Sequence, residues 1–481
     1  MTTTTPLALL LAALAALAAG CSLVQRPTRP TRCSAPAGLS ATPAPGNRLA
    51  VILGMAAAGA DSARVLFRVD AGPERATPFA PVRGERVRAP VLGLPAGARL
   101  SARIELWAGS ARRLSPPVTC AIGALPRALA GIHLQTRYGQ RSGGYILTEM
   151  LRGRTGYVVA FDSLGRIAWY HDLGPAHSTG DVKQQPNGDI TAWAGSSFGY
   201  QPDSTGRFVE LRPTGRLVRE FRAPGGYYTD PHELRLVFAG DTLQAAYFFG
   251  YDLRHVRRLG GKGDGWLAAH TLFRRDAAGA VTPIVSGWQL FSLADTLAAP
   301  HDDMHDFEHP NSLDFDTDGN LLVSFRNFDQ VVKIDARTGA VLWRLGGPRS
   351  DFRFVGDPLG GFAGQHYVRL LDDGDILLYD NRWSRPPLAS RAAEYRLDLA
   401  RHTATLVAAF RTHPRRYTDS TGSVQRLASG YTLVAYAHDY LIAEFNPRGE
   451  EVAEAAVTGA KKLGVGYRML VVPSLYRYEL P

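Results

Sequence analysis

The first twenty residues of this 481-residue chain carry no charged side chain, and beyond them long amphipathic helical patterns are absent. With 50 glycines, 31 prolines and 10% aromatic residues, the remainder favours short strands joined by turns and excludes a helical bundle. Cysteine is scarce as well. Cys21, Cys33 and Cys120 are the only three, too few for a disulfide-dense scaffold. A further absence concerns PHDDMHDFEHPNSLDFDTDGN at 300–320. Asp314, Asp316, Asp318 and Gly319 open like a calcium loop, but the twelfth place, which needs a bidentate glutamate, holds Phe325. That excludes the calcium loop. The same stretch spaces His301, His305 and His309 four apart, as a helical metal site would, yet Pro310 after His309 opposes a continuing helix.

The apolar run from Pro6 to Gly20 is too short for a permanent membrane span. It ends in Leu17-Ala18-Ala19-Gly20-Cys21, which resembles a bacterial lipobox, although no Lys or Arg precedes it. Residues 1–20 are therefore expected to be a lipoprotein signal peptide and Cys21 the lipidated mature N-terminus. An ordinary cleaved signal and an uncleaved anchor are the alternatives, and each exports the body. The lipid would hold it on the periplasmic side of the cell envelope, at the outer membrane where there are two. Residues 21–32, rich in Pro and Arg, read as a tether. In an oxidising compartment a Cys33–Cys120 disulfide is expected in preference to two free thiols. The net charge of +10 lies wholly after residue 20 and is mostly arginine scattered through loops. Its plain meaning is a solvated basic surface; export argues against nucleic acid and leaves anionic substrates or a membrane surface.

Residues 33–125 alternate like short strands, and LPAGARLSARIELWA has the look of the late strands of a fibronectin-type sandwich. From 126 to 481 the chain repeats itself. A strand, turn, strand element such as GRFVELRPTGRLVREFRAPG or QVVKIDARTGAVLWRLGG occurs six times, and between the copies lies a second hairpin ending in a Gly-x-hydrophobic strand. Two hairpins make four strands, and six such sheets make a six-bladed β-propeller. The expected fold is all-β: a small fibronectin-like β-sandwich followed by that propeller. DFDTDGN is then an ordinary hairpin turn, equivalent to PNGD and DDGD.

Aligning the second hairpin on its turn glycine places His232 eight residues before Gly240, His366 eight before Gly374, and His309 ten before Gly319. The count from Gly188 and Gly430 reaches Gly180 and Gly422. One repeat position thus holds histidine in three successive blades and glycine in two others. A repeat position has a fixed radial place, so three imidazoles are expected to converge at the channel mouth, with the glycines leaving space opposite. His301 and His305 fall in the preceding connection, outside this set. Arg326 in FRNFD and Asn311, two residues after His309, complete a group suited to an oxyanion.

The series HPNSLDFDTDGNLLVSFRNFD, FAGQHYVRLLDDGDILLYDN, TGSVQRLASG and PSLY resembles the bacterial aryl-sulfate sulfotransferases. The resemblance implies nucleotide-independent transfer of a sulfuryl group from a phenolic sulfate ester to a phenolic acceptor. It implies that His366 is the nucleophile, transiently sulfated, and that His232, His309, Asn311 and Arg326 hold the sulfuryl oxygens. Thr421 of TGSVQR would be a further substrate contact. No metal and no cofactor are expected. Expected partners are a small-molecule aryl sulfate donor, a phenolic acceptor and, through the lipid, a membrane; a homodimer is compatible. A calcium-dependent propeller lactonase or esterase and a ligand-binding propeller without catalysis are the competing readings.

Overall fold

The computed structural model describes residues 30–176, 178–195, 205–257, 265–297, 304–383, 385–459 and 463–476. The expected signal peptide, Cys21, most of the expected tether and His301 lie outside the described residues. No helix among the described residues is long and apolar enough to cross a membrane.

The N-terminal part is built from two antiparallel sheets. One has seven strands, with Arg99–Ala108 between Val118–Ala121 and Ser62–Val69; the other has three, Leu39–Ala44, Asn47–Ala56 and Arg86–Val91. Alternate residues of both sheets, among them Val51, Leu53, Val65, Ile104 and Val91, are buried in one core. Cys33 and Cys120 face each other in register and are joined by a disulfide.

Six further sheets follow, one per blade. Middle strands such as Leu321–Phe325 and Gln330–Ile334 are buried along their whole length, because each blade is covered on both faces by its neighbours. This explains why their sequences, LLVSF and QVVKI, read as nearly continuous apolar runs. The turn residues Gly188, Gly319, Gly374 and Gly430 all take positive φ, from 79° to 86°. That is the hairpin-turn conformation open to glycine. In DFDTDGN the Lys333 ammonium sits 2.6 Å from Asp316 and 2.7 Å from Asp318, so the chain supplies its own cation there.

The ring is closed by both ends of the repeat region. Blade 1 runs Met469–Val472, Tyr145–Arg152, Thr155–Phe161, Ile167–Pro175 from axis to rim, its inner strand coming from the C-terminus. His133–Gly139 adds a fifth, outer strand to blade 6, beside Glu451–Thr458. GGYILTEML at 143–151 therefore has no hairpin partner before it in the sequence, because its inner neighbour comes from the other end of the chain. Beyond the closing strand the Tyr476 hydroxyl accepts the Leu92 N–H at 2.9 Å, clipping the C-terminal PSLY to the N-terminal sheets.

Candidate active site

At the repeat position that carries histidine, the inner strands of blades 2 to 5 all lose register. The ladders skip between Gly180 and Lys183, Thr229 and Leu234, Pro310 and Ser312, and His366 and Arg369. A bulge bends the strand and re-aims its side chains, and bulges are common beside active sites for that reason. His309 and Tyr367 also take φ of 52°, a left-handed conformation rare for such residues. Strain of this kind persists where the surroundings over-determine it.

The outcome is a cluster at the axis. The rings of His232 and His309 lie 4.4 Å apart and those of His309 and His366 5.8 Å apart. Tyr467 closes one side, 5.5 Å from His232 and 6.5 Å from His366. Gly422 does not leave open space in the channel, contrary to the expectation from the repeat. A Cβ there would stand 2.5 Å from the Tyr379 ring, so the glycine makes room for that tyrosine.

Each of the three rings is held by its Nδ1. His232 Nδ1 donates to Asp230 at 2.9 Å, and Asp230 also meets His270 Nε2 at 3.2 Å. His270 in turn faces Glu308 at 3.0 Å, which makes a buried relay of alternating imidazoles and carboxylates behind His232. Burial opposes a charge on His270, but the two facing carboxylates overcome it and raise its pKa to about 10. His309 Nδ1 pairs with Asp306, which comes from the connection before blade 4. His366 Nδ1 lies 2.7 Å from the amide oxygen of Asn381.

Burial depresses the pKa of His366 well below the usual imidazole value, and the neighbouring His309, Arg326 and Arg468 push it the same way. The ring is therefore neutral at physiological pH, and its Nε2 makes no hydrogen bond with any described residue. Burial likewise lowers His309 to about 4, with His232 and Arg326 adding to it against the pull of Asp306.

Arg326 is half-buried and begins a 3-10 turn, one residue past the strand Leu321–Phe325. Its guanidinium stacks 4.2 Å over Trp383 and donates to the Asp419 carbonyl at 3.1 Å. Asn311 spends one amide N–H on the Gln365 carbonyl at 2.7 Å and keeps a second. Its Oδ1 and the Thr421 hydroxyl are buried without a hydrogen-bond partner among the described residues. His305 is buried in Met304–Asp306, a short strand paired in parallel with Gly265–Asp276, and does not join the three axial rings.

Sequence reasoning missed the relay residues Asp230, His270 and Glu308, the orienting Asp306 and Asn381, and above all Arg468. This residue is fully buried and donates to the carbonyls of Gly422 and Asn311 at 2.9 Å and of His232 at 3.4 Å. One guanidinium thus ties three blades together from the closing strand. Beneath it Lys183 bridges Asp181 and Glu233, and Glu233 meets Arg369 at 3.0 Å. The axial carboxylates are therefore engaged by cationic side chains. The acidic group Asp373, Asp375 and Glu394 lies by the turn at the far end of the His366 strand, and Arg396 and Arg426 occupy it. The adjacent motif letters DPH, HDFEH and YDN were the available signals for the partners of the histidines.

A family model described as Arylsulfotransferase (ASST) matches residues 229–458, a span that contains all three histidines, Asn311, Arg326, Asn381 and Thr421. Over that span, just under half of its length, the chain is similar to the arylsulfotransferase family. Arg468 and the closing strand fall beyond the span in which the arylsulfotransferase pattern was matched. No curated protein matches the chain at a significant level. Among solved structures, a protein of unknown function from Bacteroides caccae aligns with TM-score 0.40 and 13% identity, over 66% of this chain and 94% of its own. A Lactobacillus plantarum protein gives TM-score 0.38 and 14% identity, over 66% and 83%. Virginiamycin B lyase from Staphylococcus aureus gives TM-score 0.35 and 8% identity, over 67% and 88%. Likeness at this level bears on neither activity nor site.

Proposed function

We propose that this protein transfers a sulfuryl group from a phenolic sulfate ester to a phenol, without a nucleotide donor, through a sulfohistidine at His366. One observation carries the reading: a neutral imidazole with its Nε2 unbonded stands among two more imidazoles and an arginine. Nε2 attacks sulfur, the bond from sulfur to the phenolic oxygen breaks, and its electron pair leaves on the phenolate. Sulfuryl transfer needs in-line positioning and neutralisation of the non-bridging oxygens more than other covalent help. Arg326, His232 and the second amide N–H of Asn311 supply that neutralisation, and Thr421 adds a hydroxyl. In the second half-reaction the acceptor phenol attacks sulfur and the nitrogen to sulfur bond breaks. With Nδ1 of His309 committed to Asp306, a proton exchanged between that ring and the phenol passes through Nε2.

The test is to incubate purified protein with p-nitrophenyl sulfate, with and without a second phenol, in the absence of nucleotide. Transfer to the phenol with ping-pong kinetics supports the proposal. A propeller that only binds ligands would release no nitrophenol, and a calcium-dependent esterase would lose its activity to a chelator.

Arg326→Ala is expected to leave the protein folded and to lower kcat by on the order of 10²–10³, the usual cost of one charge-stabilising donor. Steady-state kinetics with circular dichroism check this. The pH profile follows from the depressed imidazoles. Activity needs neutral His366 and His309, both with pKa values below the ordinary 6.5, so kcat/KM should stay level as pH falls through 6.5. It should decline only on approach to about 4, where His309 takes up a proton. An acid limb centred near 6.5 would contradict the account.

For the N-terminus we propose lipidation at Cys21. Cys21→Ala should abolish labelling by a lipid precursor and move the protein out of the membrane fraction.

A further inference from the structure

The three axial imidazoles are all held by Nδ1, but not by the same kind of partner. His232 and His309 face carboxylates, Asp230 and Asp306, whereas His366 faces the amide of Asn381. We infer that this difference sorts the histidines: Asn381 is the positioning residue that fixes His366 as the nucleophile with its lone pair on Nε2. The inference rests on the sulfohistidine reading and specifies how the nucleophile is prepared.

The orientation of the amide is determined by its surroundings. Both N–H groups of Asn381 donate to main-chain carbonyls, of Thr418 and Thr421, each at 3.0 Å. Carbonyls only accept, so the amide cannot be turned over and Oδ1 must face His366. Oδ1 only accepts in turn, and the Gly364 carbonyl, 3.2 Å from the same Nδ1, adds a second acceptor. The proton therefore sits on Nδ1 and the lone pair on Nε2. Ser390 braces the arrangement: its single hydroxyl lies 3.1 Å from the main-chain carbonyls of both Asn381 and Thr418 and accepts the Thr418 N–H at 2.9 Å. The same loop places the Asp419 carbonyl on Arg326, so one segment locates both nucleophile and charge stabiliser.

An amide is also chemically apt where a carboxylate is not. Attack by Nε2 forms the nitrogen to sulfur bond while Nδ1 keeps its proton, so the adduct is an imidazolium carrying the sulfuryl group. A carboxylate partner could remove that proton and leave an anionic N-sulfoimidazole, from which the second transfer would have to expel an imidazolide, a poorer leaving group than neutral imidazole. An amide oxygen is too weak a base to do so, and the adduct stays reactive. Before attack, the amide favours the protonated ring, but it is the smallest of the influences on His366 and is outweighed by burial and the neighbouring cations. Of the other groups that face His366, His309, Arg326 and Arg468 oppose a proton on the ring, and Tyr467 is a neutral phenol 6.5 Å away.

The experiment uses the full-length protein with ¹⁵N-labelled histidine, the His366 signals being assigned by their absence in His366→Ala. The wild-type resting enzyme should show a protonated Nδ1 and a bare Nε2 at neutral pH. Asn381→Ala should shift His366 toward the Nε2–H tautomer, which a free histidine side chain prefers. It should also slow single-turnover sulfation on the order of 10²-fold or more, since a wrong tautomer leaves no lone pair aimed at sulfur. Donor KM should change little, because the Oδ1 and both N–H groups of Asn381 are already engaged within the protein. If wild-type His366 carries its proton on Nε2, or if Asn381→Ala is sulfated at the wild-type rate, the inference is overturned while the sulfohistidine reading stands. If wild-type protein takes up no sulfuryl group at all, the underlying reading fails first.

Discussion

Replacing His366 with alanine is expected to abolish both half-reactions, with a loss on the order of 10⁴-fold or more, as for removal of any covalent nucleophile. Neither of its neighbours can take over. His232 and His309 hold carboxylates on Nδ1, which suits them to donate or exchange protons rather than to carry sulfur. The fold should survive, because the substitution leaves the Asn381 oxygen unpaired at a cost of about 1–3 kcal/mol. The measurement is twofold: release of nitrophenol from p-nitrophenyl sulfate alone, and exchange of sulfuryl between two phenols. Both should vanish in a variant whose circular dichroism matches the wild type.

The largest expected effect on stability comes from Arg468→Leu. The guanidinium lies 3.7 Å from Asp181 and satisfies the carbonyls of Asn311 and Gly422. A leucine would strand those acceptors and remove a buried cation from a network that includes Glu233 and Lys183. Breaking one buried ion pair typically costs about 3–5 kcal/mol. The loss should appear as a lower denaturant midpoint with an unchanged slope. Activity should fall as well, because the carbonyls that Arg468 holds belong to the bulged segments carrying His232 and Asn311. A midpoint within error of the wild type would show that the closing strand does not organise the site.

The six blades were legible because their alternation of two hairpin types repeats, and a repeat fixes radial place. The register of His232, His309 and His366 could be counted from turn glycines for the same reason. What could not be counted was the closing strand. Arg468 and Tyr467 precede an apolar run, MLVV, that fits no copy of either hairpin, and only circular closure gives it a blade. The partners of the histidines were hidden differently. Asp306 and Asp230 stand within three residues of the rings they hold, but they read as loop acids until the bulges fold them back. Asn381 lies fifteen residues from His366, across one hairpin, and its role depends on two carbonyls in the Thr418–Thr421 segment of the next blade. The space expected beside Gly422 was misjudged because a repeat position says where a residue sits, not which neighbour fills the room it leaves.

The central claim is a sulfuryl group carried on one ring of this cluster. It is tested most directly by mixing the protein with p-nitrophenyl sulfate and no acceptor, quenching at neutral to basic pH, and mapping the digest by mass spectrometry. The account predicts one sulfuryl group per chain, on the peptide containing His366, labile in acid and removed by adding a phenol before the quench. A sulfuryl group on another residue, or nitrophenol release with no protein adduct under the same conditions, would contradict it.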